Sequence, residues 1–279
     1  MSYKIIKYPD GSSYVQLPTD TLELNKLAND TVFRINSYED LWHMTQFIDA
    51  MANIGYESTI TIPCLLDAQA DRRFNRYQSA GLKLLLEHMY GLELNYKVSW
   101  RIFHPHNPEV VEMMLDNVEI IDNSEFIKEV LMDLGIEGDR EEGGLILMSS
   151  DAGGFKPLMK LCDTIRWGGE TFSASKARSW SEEDGSKLVQ QIDRQDFDGK
   201  DVLIIDDLLI GGKTLINIAS LLKDKNVGNI YAAVSHMTIK TPKKELTEVF
   251  DMIFTTNSKY NQQDYDLDPN LFKVFSLFC

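Results

Sequence analysis

The feature that most constrains this chain is residues 202–219. Val202, Leu203, Ile204 and Ile205 form a short apolar run that ends in two adjacent acids, Asp206 and Asp207. Gly211, Gly212, Lys213 and Thr214 follow, and then Leu215, Ile216, Asn217, Ile218 and Ala219 in helical register. An unbroken apolar run closed by glycines predicts a parallel strand buried on both faces, a tight loop and a helix N-terminus. Backbone N–H groups at such a helix start can hold a phosphate, and glycine lets the backbone approach it closely. The acids fall at the carboxyl end of the strand, where open α/β sheets bind ligands. Carboxylates there can hold ribose hydroxyls or magnesium.

The same alternation runs along the rest of the chain. Residues 59–66 and 97–103 are strand-like, and residues 79–90 place Leu82, Leu85, Leu86 and Met89 at helical spacing, with Gly91 expected to end that helix. Pro108 opens a helix predicted over 108–115. Glycines and acids accumulate between residues 135 and 144, which predicts a boundary. A second set then begins with the strand-like Leu145, Ile146, Leu147 and Met148, followed by Ser149, Ser150, Asp151, Ala152, Gly153 and Gly154. A further strand is expected over 229–234. Strands alternating with helices predict an α/β protein with parallel sheets flanked by helices, in two related halves, 1–138 and 139–279.

Composition narrows the function class. A length of 279 residues with 43% hydrophobic content allows two domains, each with a core of its own. No apolar run approaches the roughly 20 residues that span a bilayer, and the first residues lack the apolar core of a secretory leader. Cys64, Cys162 and Cys279 are far apart and odd in number, which suggests neither a disulfide framework nor a zinc site. The expectation is a cytoplasmic protein with reduced thiols and no membrane partner. The net charge of −15 argues against a nucleic-acid surface. It leaves phosphate ligands open, because a few local cations and Mg²⁺ can reverse the field within a cleft.

Five segments in order resemble one family, the ribose-phosphate pyrophosphokinases, or phosphoribosyl pyrophosphate (PRPP) synthetases. Residues 206–214 are similar to the Asp-Asp-x-x-Asp-Thr-Gly-Gly-Thr loop that these enzymes share with type I phosphoribosyltransferases. Tyr8, Pro9, Asp10, Gly11 and Ser12 resemble the family's Phe-Ser-Asp-Gly-Glu segment. Residues 67–73, with Asp71, Arg72 and Arg73, resemble its Ala-Arg-Gln-Asp-Arg-Arg. Residues 149–154 resemble its Ser-Pro-Asp-x-Gly-Gly, and Lys176 and Arg178 lie in a stretch similar to its Lys-Arg-Arg flexible loop.

The resemblance implies two tandem type I phosphoribosyltransferase-like domains. The N-terminal half would carry the ATP-binding segments, with Tyr8, Asp10, Asp71, Arg72 and Arg73 as contacts. The C-terminal half would hold the acceptor's ribose and phosphate through Asp206, Asp207, Gly211, Gly212, Lys213 and Thr214. It further implies a transfer of the β,γ-diphosphate of ATP to the anomeric hydroxyl of a 5-phosphorylated ribose, with release of AMP. Lys176 and Arg178 would be catalytic, neutralising developing charge. Mg²⁺ would bridge phosphates and sugar, with Asp151 and either His104 or His106 near it. A homo-oligomer is implied, because the family's adenine segment reaches a neighbouring subunit.

The departures cluster. Ile210 stands where the family has a third acid, Gly211 where it has a threonine and Lys213 where it has a glycine. Gln69 and Ala70 replace an arginine and a glutamine, leaving Arg72, Arg73 and Arg76 to meet more of the ATP phosphate charge. Both ends read as trimmed relative to the family. At the phosphate loop a side chain is lost and a cation gained, which suits an acceptor carrying more than a monophosphate. The expected acceptor is therefore ADP-ribose, giving ADP-ribose pyrophosphate for NAD salvage, as in a trimmed phage branch of the family that this chain resembles; a viral member would act in the host cytoplasm. Ribose 5-phosphate, giving PRPP for nucleotide synthesis, is the alternative. A non-catalytic regulatory relative is weighed below both, and a base-adding transferase would need a nucleobase hood that the chain lacks.

Overall fold

The structure is a computed structural model that describes residues 3–73, 75–136, 144–181 and 185–278. The chain divides into two compact units, Met1–Asp122 with Phe278–Cys279, and Asn123–Leu277.

In the first unit, β1 (Lys4–Lys7) and β2 (Ser13–Gln16) form an antiparallel hairpin, followed by α1 (Thr21–Asn29). A parallel sheet has the order β3 (Thr31–Val32), β4 (Ser58–Ile62), β5 (Val98–Phe103), β6 (Val118–Ile121). The crossovers are α2 (Tyr38–Asn53), α3 (Gly81–Asn95) and α4 (Pro108–Met114). Their starts are encoded locally. Ser37 caps α2 by accepting the Asp40 N–H, and Asn107 caps α4 by accepting the Val110 N–H with Pro108 in the first turn. Ile60, Ile62, Trp100 and Ile102 from the sheet pack with Phe47, Met51, Leu86 and Met89 from the helices. Gly91 does not end α3 as expected. The apolar stripe continues to the buried Leu92, and burial of that stripe outweighs the roughly 1 kcal/mol that an interior glycine costs.

The second unit opens with α5 (Ser124–Asp133), so the division between units lies upstream of the glycine- and acid-rich stretch at which the sequence suggested a boundary. Phe126, Ile127 and Val130 of α5 pack against Leu145 and Leu147 of β7 (Leu145–Ser149), which ties the helix to the second core. Residues 137–143 lie outside the described residues. After β7 come α6 (Phe155–Ile165), β8 (Thr171–Ser173) and an antiparallel hairpin of β9 (Ser175–Ser181) and β10 (Gly185–Gln191). Then follow β11 (Asp201–Leu209), α7 (Lys213–Lys223), β12 (Ile230–Met237), α8 (Lys244–Val249), β13 (Met252–Thr256) and β14 (Phe272–Phe275). The six-stranded parallel sheet has the order β14-β13-β12-β11-β7-β8.

That order locates a site. From β7 the chain goes outward to β8, then returns to place β11 on the other side of β7. The strand order therefore reverses between β7 and β11, and ligands of open α/β sheets bind outside the carboxyl ends of such a pair. Ser149 ends one strand, with Ser150 directly after it, and Asp206 and Asp207 lie near the end of the other.

Candidate active site

At the switch point, β11 runs through both acids to Leu209, so the carboxylates belong to the strand itself. Their environment is electrostatically tense. Burial pushes the Asp206 carboxyl up from 3.8 to about 7, and the adjacent Asp207 charge pushes it further in the same direction. A hydrogen bond from Ser150 and the Asp207 N–H, 3.0 Å from Asp206 Oδ1, oppose the shift without cancelling it. A site that crowds carboxylates in this way gains free energy from hydroxyl donors and from a cation. The donor set fits Mg²⁺, a hard cation that takes one or two carboxylates and leaves its other positions to water and phosphate. Among the described residues there is no group of three acids, histidines or cysteines around one point.

The loop after β11 is short. Ile210 is 50% exposed where an acid was expected. Gly211 has open space around it. Gly212 caps α7 in the left-handed region at φ +73°, and a Cβ on it would meet Leu246 Cδ1 at 2.9 Å. Glycine at 212 is thus required twice, by conformation and by the close approach of α8. Lys213 and Thr214 open α7, whose free N–H groups point the helix's positive end toward the loop.

Asp151, on the neighbouring loop, is already partly engaged. Its Oδ1 accepts the Gly154 N–H at 3.0 Å at the start of α6, and its carbonyl accepts Ser149 Oγ at 2.9 Å. Lys176 and Arg178 were expected on a flexible loop. Their backbone instead lies in β9, in register with Gln190 and Leu188 of β10. The hairpin tip, residues 182–184, lies outside the described residues.

The first unit gathers the other candidates in two places. Asn107 Nδ2 donates to Asp71 Oδ2 at 3.4 Å, which brings the 71–73 segment to the loop carrying both histidines. Arg72 Nε is 4.0 Å from Asp71 Oδ1, while the Arg72 and Arg73 side chains are exposed. Arg76 packs on the exposed Tyr77 at 4.7 Å from its ring centre. His104 is half-buried with φ +39°, whereas His106 is exposed. Asp67, at the end of the preceding strand connection, also has positive φ (56°) and accepts the Tyr38 hydroxyl at 2.8 Å. Such backbone strain clusters at functional sites. Tyr8 is 53% exposed and packs against Tyr14 in a tilted arrangement, 5.6 Å between ring centres. Asp10 accepts both Ser12 N–H and Ser12 Oγ, at 2.9 and 2.7 Å, which holds its carboxyl below the usual range and fixes the turn.

Residues 114–270 match the phosphoribosyl transferase domain family, more than half of the chain. The chain belongs to that family. A ribose-phosphate pyrophosphokinase from Saccharolobus solfataricus is 22% identical over 269 residues, covering 93% of this chain and 85% of that protein. One from Pyrococcus abyssi is 26% identical over 241 residues, covering 85% and 76%. The crystal structure of phosphoribosylpyrophosphate synthetase from Mycobacterium smegmatis has a TM-score of 0.75 at 16% identity, covering 99% of this chain and 86% of that one, which is a likeness of fold. Among the described residues no helix is long and apolar enough to cross a membrane.

Beside the family's acid loop lies a polar floor that the sequence reading missed. His236 Nδ1 is 2.9 Å from Ser258 Oγ, and the Ser235 carbonyl accepts Thr256 Oγ1 at 2.7 Å and Ser258 Oγ at 3.0 Å. All four residues are buried at or just beyond the carboxyl ends of β12, which neighbours β11, and of β13, which lies beyond it. The available signal was Ser235-His236 closing an otherwise apolar run. Asn107 was missed too; an asparagine directly before Pro108 is a helix-cap signature.

Proposed function

We propose that this chain is a ribose-phosphate diphosphokinase that transfers the β,γ-diphosphoryl group of ATP to the anomeric hydroxyl of ribose 5-phosphate, yielding PRPP and AMP. The observation that carries the proposal is the Asp206–Asp207 pair at the β7/β11 switch point, directly ahead of the Gly212-capped helix. Its curated relatives share that activity in name, and the ribose 5-phosphate acceptor follows from them.

The chemistry is a displacement at phosphorus. The anomeric oxygen attacks the β-phosphorus of ATP, the bond from that phosphorus to the α–β bridging oxygen breaks, and the hydroxyl proton is lost to solvent or base. Little covalent help is possible, so the protein acts by positioning and by matching charge. Asp206 and Asp207 accept hydrogen bonds from the ribose 2- and 3-hydroxyls. The N–H groups of Gly212, Lys213 and Thr214 receive the 5-phosphate at the start of α7. Lys176 and Arg178 neutralise charge on the transferred group, and the Asp71–Arg73 and Tyr8 segments of the first unit hold ATP. Asp206, Asp207 or Asp151 would hold Mg²⁺, which would supply charge neutralisation at the phosphates.

A second reading is favoured by the loop itself. Open space at Gly211 and a lysine at 213 suit an acceptor whose 5-phosphate continues into a diphosphate, and ADP-ribose is that acceptor. AMP release from ATP and Mg²⁺, with ribose 5-phosphate and ADP-ribose in parallel, separates the two. Turnover of ribose 5-phosphate at the higher kcat/KM is the expected result. A preference for ADP-ribose selects the second reading, and no AMP from either acceptor removes both.

A further inference from the structure

The segment after β12 plays no part in the mechanism above, yet it is fastened to the phosphate loop at both ends. Thr238 donates its N–H (3.0 Å) and its Oγ1 (3.2 Å) to the carbonyl of Leu209, the last residue of β11. At the far end Leu246 fills the space in front of Gly212, where a Cβ would lie only 2.9 Å from its Cδ1. Residues 239–245 therefore run alongside residues 209–212. They carry Lys240 and Lys243, both exposed, and neither of these nor Lys213 forms an ion pair with any of the described residues.

Lys240 is held in place. Its Nζ sits 4.5 Å from the centre of the Tyr260 ring. Tyr260 stands edge-to-face with Tyr265 at 5.6 Å and 83°. Tyr265 is fixed in turn by donating its hydroxyl to the Met237 carbonyl at 3.1 Å, and the Lys240 carbonyl accepts the Asp266 N–H at 3.0 Å. Both the backbone and the ammonium are thus oriented before any ligand arrives. A cation resting on an aromatic face keeps its charge available, and an ordered side chain gives up less freedom when it meets an anion. In a chain of net charge −15, this puts an oriented cation, with no ion pair among the described residues, on the segment tied at both ends to residues 209–212.

We infer that Lys240, positioned by Tyr260, is a specificity-determining residue for the acceptor: it reads negative charge beyond a single 5-phosphate. The inference rests on the acceptor site proposed above and on its second reading, in which ADP-ribose is also accepted. A terminal monophosphate is satisfied by the N–H groups at the start of α7. A second phosphoryl group projects out of that loop past Gly211, whose missing side chain leaves the way open, and is met by Lys240.

The test compares AMP release by the wild-type chain and by Lys240→Met, Tyr260→Leu and Tyr260→Phe. The acceptors are ribose 5-phosphate and ADP-ribose, the latter as the diphosphate-bearing probe. Lys240→Met is expected to raise KM for ADP-ribose about tenfold while changing that for ribose 5-phosphate less than about twofold. Tyr260→Leu should move in the same direction, and Tyr260→Phe, which keeps the ring, should behave as wild type. Equal effects on both acceptors, no effect on either, or a wild type that uses ribose 5-phosphate but not ADP-ribose would each overturn the inference. If the wild type released no AMP with either acceptor, the proposed reaction would fail, and calorimetric titration of ADP-ribose into wild type and Lys240→Met would still decide about Lys240. Weaker binding by the variant supports the inference; equal or absent binding overturns it.

Discussion

Strands β7 and β11 lie side by side and end in the same kind of sequence, an acid followed by glycines and a helix, yet their acids are used in opposite ways. After β7, Asp151 Oδ1 accepts the Gly154 N–H, and Ser149 Oγ braces the same turn. Near the carboxyl end of β11, Asp206 and Asp207 crowd each other, and the Asp206 carboxyl is driven up to about 7 by burial and by its neighbour's charge. An acid that starts a helix already serves the fold, whether or not it also meets a cation. An acid pair held in mutual repulsion is waiting for hydroxyl donors and a cation. What marks the acceptor site is therefore less the presence of carboxylates than the burial of two of them side by side.

The largest test of that contrast is Asp206→Asn. Under the proposed function it should lower kcat/KM for the acceptor by about a thousandfold or more. Stability should move the other way. A carboxyl whose pKa is raised on folding contributes stability that is full below its unfolded value, 3.8, and is lost as pH rises through about 7. The unliganded wild type should thus lose stability between about pH 4 and 7, and the variant should lack that slope and be the more stable protein at pH 8, by a few degrees in Tm. Thermal unfolding at pH 5 and pH 8 checks both. If Asp206→Asn were the less stable protein at pH 8, the contrast with Asp151 would collapse.

Next in size is a pair of glycine substitutions one residue apart. Gly212→Ala forces a side chain into the left-handed region and against Leu246, and should cost about 1–3 kcal/mol of stability. Gly211→Ala meets nothing within 4 Å and should be almost neutral in urea unfolding. Asp151→Ala should cost about 1 kcal/mol by removing the acceptor at the start of α6. Comparable losses at Gly211 and Gly212 would mean that the loop after β11 is held by features other than the αL cap and its contact with α8.

The sequence made the architecture legible because β7 and the first half of β11 are continuous apolar runs and α7 carries a stripe of leucine and isoleucine. The acids of 206–207 were visible for the same reason: charge at the end of such a run has no apolar explanation. The length of α3 was not, since Gly91 reads as a stop and only the continued packing of Leu92 overrides it. Nor was the hairpin that carries Lys176 and Arg178, whose polar sequence hides its pairing. His236 and Ser258 lie 22 residues apart and meet only because β12 and β13 pair in parallel. The role of Asp10 could not be read either, because an acid that locks its own turn and an acid that reaches a ligand look alike in sequence.

That ambiguity at Asp10 sets up the smallest expected effect. Its Oδ1 is occupied by both donors of Ser12, and Tyr8 N–H bonds back to the Ser12 carbonyl at 2.8 Å, so the carboxylate shapes the turn that presents Tyr8. It belongs with Asp151 rather than with Asp206. Asp10→Asn keeps the acceptor oxygen and should raise KM for ATP by no more than about threefold, whereas Tyr8→Ala, which removes the exposed ring itself, should raise it by about tenfold. Initial rates at varied ATP and saturating acceptor measure both. Should Asp10→Asn prove the more damaging of the two, its charge acts directly on ATP or its metal, and local satisfaction by a hydrogen bond is not enough to tell a folding acid from a ligand-binding one.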